Sequence, residues 1–175
     1  MSGYRNGVYV AFDGQGTTDP TQSDIKYFNL LKLWAAQEDL IFSDSHKKTG
    51  AVRDSSTIET LKRRLRERLS KSKSMFLILS EETNYDRGIL NYEIEQAIDN
   101  YKIPLIIAYT GKKGQIAVNS RDIKNRWPRA LIDRIDNADV TCVHIGFEKE
   151  IIKRAISQIS IHDNKYKGGK LTYKS

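Results

Sequence analysis

The residue whose type and setting best suit chemistry is Glu93, in the run Tyr92-Glu93-Ile94-Glu95. The apolar spacing predicts a helix from about Arg87 to Asn100, which places Glu93 one turn from Ile89, Leu90 and Ala97, at the border of the stripe that faces the core. A carboxylate in that position is only partly solvated. Desolvation penalises its charged form and raises its pKa, which fits general-base or cation-stabilising work. The same spacing fits a surface glutamate that merely flanks the core. Glu95 points further outward and is expected to be solvated.

Three other constellations are candidates for binding. Asp44-Ser45-His46 follows a short apolar run, and its Asp and His could hydrogen-bond ribose hydroxyls, while Arg53 nearby could pair with a phosphate. An Asp-x-His of this kind is also commonly just a turn. The loop Phe12-Asp13-Gly14-Gln15-Gly16-Thr17-Thr18-Asp19-Pro20 has glycines and hydroxyls suited to cradling phosphate. It lacks a third glycine and a Gly-Lys-Ser/Thr, and its aspartates would repel an anion, so a flexible polar turn is the competing reading. A receiver domain is excluded because Ser80, not Asp, ends the third strand. Lys62, Arg63, Arg64, Arg66 and Arg68 lie opposite Leu61 and Leu65 on one helix, as either a solvated face or a docking surface for partners.

These residues need a frame to hold them. Short apolar runs predict strands at Gly7–Phe12, Leu40–Ser43, Met75–Ser80, Ile103–Thr110 and Val140–Phe147. Helical periodicity occupies Asp24–Ala36, Thr57–Ser70, Arg87–Asn100, Arg129–Ile135 behind Pro128, and Lys149–His162. Ser56 with Glu59 forms a capping box for the second helix. The alternation implies an α/β, flavodoxin-like three-layer sandwich with a five-stranded, mostly parallel sheet of order 2-1-3-4-5. In such sheets ligands bind beyond the carboxyl ends of the strands where the order reverses. A ligand is therefore expected over strands one to three, against Phe12, Asp13, Asp44, His46 and Tyr92.

Composition sets the outer limits. The chain has 175 residues, 39% hydrophobic and 29% charged, which suits a single globular domain, expected over 1–163. Residues 164–175, with Gly168 and Gly169 among lysines, are expected to be a basic flexible tail. The net charge of +7 is uneven. The tail carries four lysines and no acid, and 62–73 carries seven basic residues against Glu67, so these two segments account for more than the whole excess. Nucleic-acid binding is not expected from such confined charge with few interleaved aromatics. No run is long and apolar enough for a membrane span and the start of the chain does not read as a signal peptide, so a cytoplasmic location is expected. Cys142 stands alone, which leaves no disulfide or zinc framework.

Taken together, Tyr9-Val10-Ala11-Phe12-Asp13, Phe42-Ser43-Asp44-Ser45-His46, Arg53-Asp54-Ser55-Ser56, the helix from Ile58 to Ser70, Met75–Ser80, and Asn91-Tyr92-Glu93-Ile94-Glu95 with Ile103-Pro104-Leu105-Ile106 resemble the bacterial TIR-like (Toll/interleukin-1 receptor-like) family. The similarity is to the subfamily that includes the signal-producing proteins of Thoeris anti-phage systems, over roughly Gly7 to Phe147. The resemblance implies cleavage of the nicotinamide–ribose bond of NAD+, taken as substrate with no metal or other cofactor, and release of an ADP-ribose-derived product that can be cyclic. It assigns the catalytic glutamate to Glu93, and Phe12, Asp13, Asp44, Ser45, His46, Arg53, Tyr85 and Tyr92 to substrate binding. Ile89 and Ala11 stand where many relatives carry Trp and Ser, and Tyr85 and Tyr92 offer an aromatic surface instead. Expected partners are NAD+, further copies of the chain through TIR–TIR contacts, a phage-derived trigger and a nucleotide-sensing effector. The alternative within the family is a non-catalytic interaction module.

Overall fold

A computed structural model describes residues 5–13, 24–38, 42–43, 58–83, 89–163 and 165–173. Its strands are β1 (Gly7–Ala11), β2 (Phe42–Ser43), β3 (Ser72–Leu79), β4 (Leu105–Tyr109), β5 (Thr141–Gly146) and β6 (Gly168–Thr172). They form one sheet of order β2-β1-β3-β4-β5-β6 in which every neighbouring pair is parallel. The helices are α1 (Ile25–Glu38), α2 (Ile58–Leu69), α3 (Leu90–Glu95), α4 (Arg121–Lys124), α5 (Arg129–Ile132) and α6 (Lys149–Gln158). Because helices cover both faces, β1 and β4 are buried at every position, and the central strands read as continuous apolar runs.

Alternation along the strands divides the interior into two cores. Tyr9, Ala11, Met75, Leu77, Leu79, Leu105, Ile107 and Tyr109 face α2, α3 and α5, with Leu65, Leu69, Leu90, Ile94 and Leu131 packed on them. Val8, Val10, Phe76, Ile78, Ile106, Ala108, Val143 and Ile145 face α1 and α6, where Phe28, Leu31, Ile152 and Ile156 close the layer. Each lysine or arginine on α2 therefore has a defined side. Leu65 and Leu69 are buried, and the basic residues lie on the remaining faces.

Several boundaries differ from the expected ones for local reasons. The helix expected from Arg87 is described from Leu90, and its second half, Gln96–Asn100, widens into a π-helix in which the Tyr101 N–H reaches back to the Gln96 carbonyl (3.0 Å). Pro128 is extended (ψ 154°) and precedes α5 instead of opening it, and α5 ends at Ile132. The last helix stops at Gln158 because Ile159 turns extended, after which the Ile161 N–H donates to the Lys73 carbonyl (2.8 Å). A short α4, not expected, is capped by the Ser120 Oγ accepting from the Ile123 N–H (3.3 Å).

The largest correction concerns the expected flexible tail. It supplies β6, a sixth strand on the β5 edge. The Thr141 hydroxyl donates to the Tyr166 carbonyl (2.6 Å), the Gly168 N–H donates to the Val140 carbonyl (2.8 Å), and Leu171 and Tyr173 pack on the α1/α6 core. A buried polar chain ties the strand down. The Trp127 Nε1–H donates to the Tyr109 oxygen (2.8 Å), Tyr109 bonds the His144 Nδ1 (2.8 Å), and the His144 Nε2 meets the Gly169 carbonyl (2.7 Å). A carbonyl can only accept, so Nε2 carries the proton and Nδ1 accepts from the Tyr109 hydroxyl. His144 is a neutral imidazole with its pKa pushed down to about 4 by burial.

Gly169 is what permits β6 to lie this close. A Cβ there would fall on the Ile135 carbonyl oxygen, a backbone atom with no freedom to move aside. Gly169→Ala is expected to cost ~2–3 kcal/mol or more through enforced overpacking. The measurement is urea unfolding, with a lower midpoint and an unchanged slope. A midpoint within error of the parent would show that β6 is not held at this distance.

Candidate functional site

The turn of α3 that carries Glu93 begins at Ile89, whose carbonyl accepts from the Glu93 N–H (3.0 Å). Leu90 and Ile94 on the same helix are core residues and lay it directly on the sheet, so Glu93 points inward toward β1. Its exposure is 1%, against the expectation of a partly solvated border position. The Tyr9 hydroxyl donates to the Glu93 Oε1 at 2.6 Å. Oε2 has no hydrogen bond among the described residues. Burial pushes the Glu93 carboxyl up to about 8, partly offset by the Tyr9 hydrogen bond and by the positive charge of Arg68 on α2. Tyr9 lies two residues short of the end of β1.

Tyr92, the neighbour of Glu93, turns toward α2. Its hydroxyl accepts from the Arg66 Nη1 (2.6 Å), and the Lys62 ammonium lies 4.8 Å from its ring centroid. Two of the basic residues on α2 are thus engaged with α3, alongside Glu93. The phenol ring is half-buried and packs against the core layer, with the Lys62 ammonium over its face and Arg66 on its hydroxyl.

A second polar cluster occupies the point where strand order reverses. Asp24, at the entry to α1, accepts on Oδ2 from the Ser80 hydroxyl (3.1 Å) and the Thr83 hydroxyl (3.2 Å), and the Ser80 N–H donates to the Thr83 Oγ1 (2.8 Å). Burial pushes Asp24 up to about 6, and the nearby negative charges of Asp13 and Glu82 add to the rise. Asp13 itself is buried at the end of β1. Phe12 does not face the same side as Glu93. Its ring stacks on Phe28 (centroids 5.3 Å apart) in the α1/α6 core, because alternation turns it to the opposite face from Tyr9 and Ala11.

Asp44, Ser45, His46, Arg53 and Tyr85 lie outside the described residues. Among the expected site residues, the structure brings Tyr92 and Glu93 together on α3 and sets Asp13 beside Asp24. Tyr9 was not expected to have a polar role. Its alternation marks it as core, and only the phenol among strand aliphatics hints at a buried acceptor. Asp24, Ser80 and Thr83 were also missed, although a hydroxyl ending β3 opposite a helix-initiating Asp is a readable signal. Among the described residues no His/Cys/Asp/Glu group is arranged to hold a metal ion, and Cys142 is a buried thiol pushed up to about 12. No helix of the described residues is long and apolar enough to cross a membrane.

A parallel sheet of order 2-1-3-4-5-6 with helices on both faces, and polar residues gathered around the ends of β1 and β3, defines a flavodoxin-like α/β protein. Within that class, residues 9–115 match the family model of the Thoeris protein ThsB, TIR-like domain. The chain belongs to this TIR-like family. The match runs from Tyr9 through β4 and so contains both members of the Tyr9–Glu93 pair.

Proposed function

We propose that this TIR-like protein cleaves the bond between nicotinamide and ribose in NAD+ and releases an ADP-ribose-derived product, cyclic or linear, as a signal in anti-phage defence. The observation that carries the proposal is Glu93, a carboxyl in a core layer with one oxygen fixed by Tyr9 and the other without a hydrogen bond among the described residues. When the glycosidic C–N bond breaks, its electron pair leaves with nicotinamide, which departs neutral. The ribose becomes an oxocarbenium-like cation. An ionised carboxylate in a low-dielectric setting stabilises that charge far more than one in water, and its second oxygen orients the ribose hydroxyls. Water, or a nucleophile within the same nucleotide, then closes the reaction. The positive nicotinium ring of bound NAD+ itself favours the ionised form of Glu93.

Phe12, placed in the α1/α6 core, supports the ligand end of β1 from behind. Asp13 and Tyr92, with Asp44, Ser45, His46, Arg53 and Tyr85, remain the substrate-binding set of this proposal. Self-association through the arginines of α2 and delivery of the product to a nucleotide-sensing effector complete it. The test is incubation of the pure protein with NAD+, alone and with lysate from phage-infected cells, and chromatography for free nicotinamide. Release by the parent and its loss in Glu93→Gln are expected. Equal release by both would remove Glu93 from the chemistry, and none under either condition would favour the interaction module.

A further inference from the structure

We infer that Tyr9 is the positioning residue for Glu93: its hydroxyl fixes Oε1 and thereby leaves Oε2 turned to the substrate sugar. The inference rests on the proposed NAD+ cleavage for its catalytic consequence, but on geometry alone for the coupling between the two side chains. Tyr9 is fully buried in the interior of β1, whose backbone is paired on both sides, to Ser43 of β2 and Met75 of β3. Its ring belongs to the same core layer as Leu65, Leu90 and Ile94, and its hydroxyl reaches Glu93. Phenylalanine would fill the same space. What the hydroxyl adds is a 2.6 Å donor to the helix that carries the carboxylate.

A hydrogen bond from a neutral hydroxyl is stronger to an ionised carboxylate than to a neutral carboxyl. Tyr9 therefore favours the charged form that the reaction needs, against a burial that disfavours it. Among the described residues the other charge facing Glu93 is Arg68 of α2, with Arg66 and Lys62 one step away on Tyr92. Without the Tyr9 hydroxyl one of the groups that oppose desolvation is gone, and the carboxyl would ionise at higher pH.

The test uses the full chain with Tyr9→Phe, and Tyr9→Met as a second variant that fills the pocket without a ring. One readout is the side-chain carboxyl carbon shift of Glu93 followed by NMR across pH, with Glu93→Gln identifying the resonance. A midpoint near 8 is expected in the parent and one about a unit higher in the variants. The other readout is nicotinamide release against pH. The variants should run roughly tenfold slower at pH 7 and approach the parent at alkaline pH, since one unit of pKa is one decade of ionised fraction. A carboxyl midpoint unmoved in a folded variant, or nicotinamide release by the variants equal to the parent's at pH 7, would overturn the assignment. If the parent cleaves no NAD+, the proposed function fails by itself, and the carboxyl midpoint still decides whether Tyr9 governs Glu93.

Discussion

Replacing Glu93 by glutamine is expected to lower the proposed NAD+ cleavage by ~100-fold or more and, at the same time, to make the protein more stable. The first effect follows from loss of one preorganised charge opposite a developing cation, worth ~3 kcal/mol or more. The second follows from linkage. Glu93 titrates near 8 in the folded chain against 4.5 in its ordinary state, so between those values the native state holds a proton that the unfolded state has released. Stability from this group is fully present below pH 4.5 and is lost as pH rises toward 8. At pH 7 the penalty is about 3 kcal/mol, and glutamine, which cannot ionise and still accepts from Tyr9, removes most of it. Urea unfolding at pH 7 should find the variant roughly 2 kcal/mol more stable, with the gap closing near pH 4.5. Glu95→Gln is the control and should change neither rate nor stability appreciably. A variant less stable than the parent at pH 7 would mean that Glu93 is ionised and well paired in the resting fold.

His144 has the opposite dependence. Its folded pKa is about 4 against 6.5 unfolded, so its contribution is present above pH 6.5 and is lost as pH falls toward 4. The full excursion corresponds to about 3 kcal/mol. Glu93 and Asp24 titrate over overlapping ranges with the other sign, so the parent's stability curve alone does not isolate it. His144→Gln does. The variant should be destabilised at pH 7, where Tyr109 and the Gly169 carbonyl lose a fitted partner, and the gap to the parent should narrow by about 3 kcal/mol between pH 6.5 and 4. A gap independent of pH would show that the imidazole is not held neutral.

Much of the frame is legible in the amino-acid sequence. Apolar runs at Gly7, Met75 and Ile103 with 3.6-period helices between them specify a parallel sheet, because only buried strands are apolar on both faces. β6 was hidden because Gly168 and Gly169 among lysines resemble a linker. The glycine exists for close approach to Ile135, and that requirement is visible only once the α5–β5 connection is in place. Helix phase found Glu93 but underestimated its depth, since periodicity tells which side a residue faces and not what stands across from it. Tyr9 was unreadable for the same reason. Its partner is 84 positions away, and nothing local distinguishes a phenol that fills a core from one that also donates. The Asp44–His46 and Arg53 readings lie outside the described residues, where sequence reasoning stands by itself.

The wide turns at Gln96–Asn100 bear on how the glutamate is recognised in other chains. A π-turn is in effect a helix with one residue inserted, and each inserted residue rotates the N-terminal part of the helix by about 100° relative to the C-terminal part. Counting back from Pro104 at regular helical pitch would consequently select a neighbour of Glu93 and assign it the wrong face. Chains that lack the insertion need one residue fewer between the glutamate and β4 to keep the same carboxyl over β1. In this chain the Tyr9–Glu93 pair lies upstream of the π-turns, so a length change within those turns would leave the pair undisturbed.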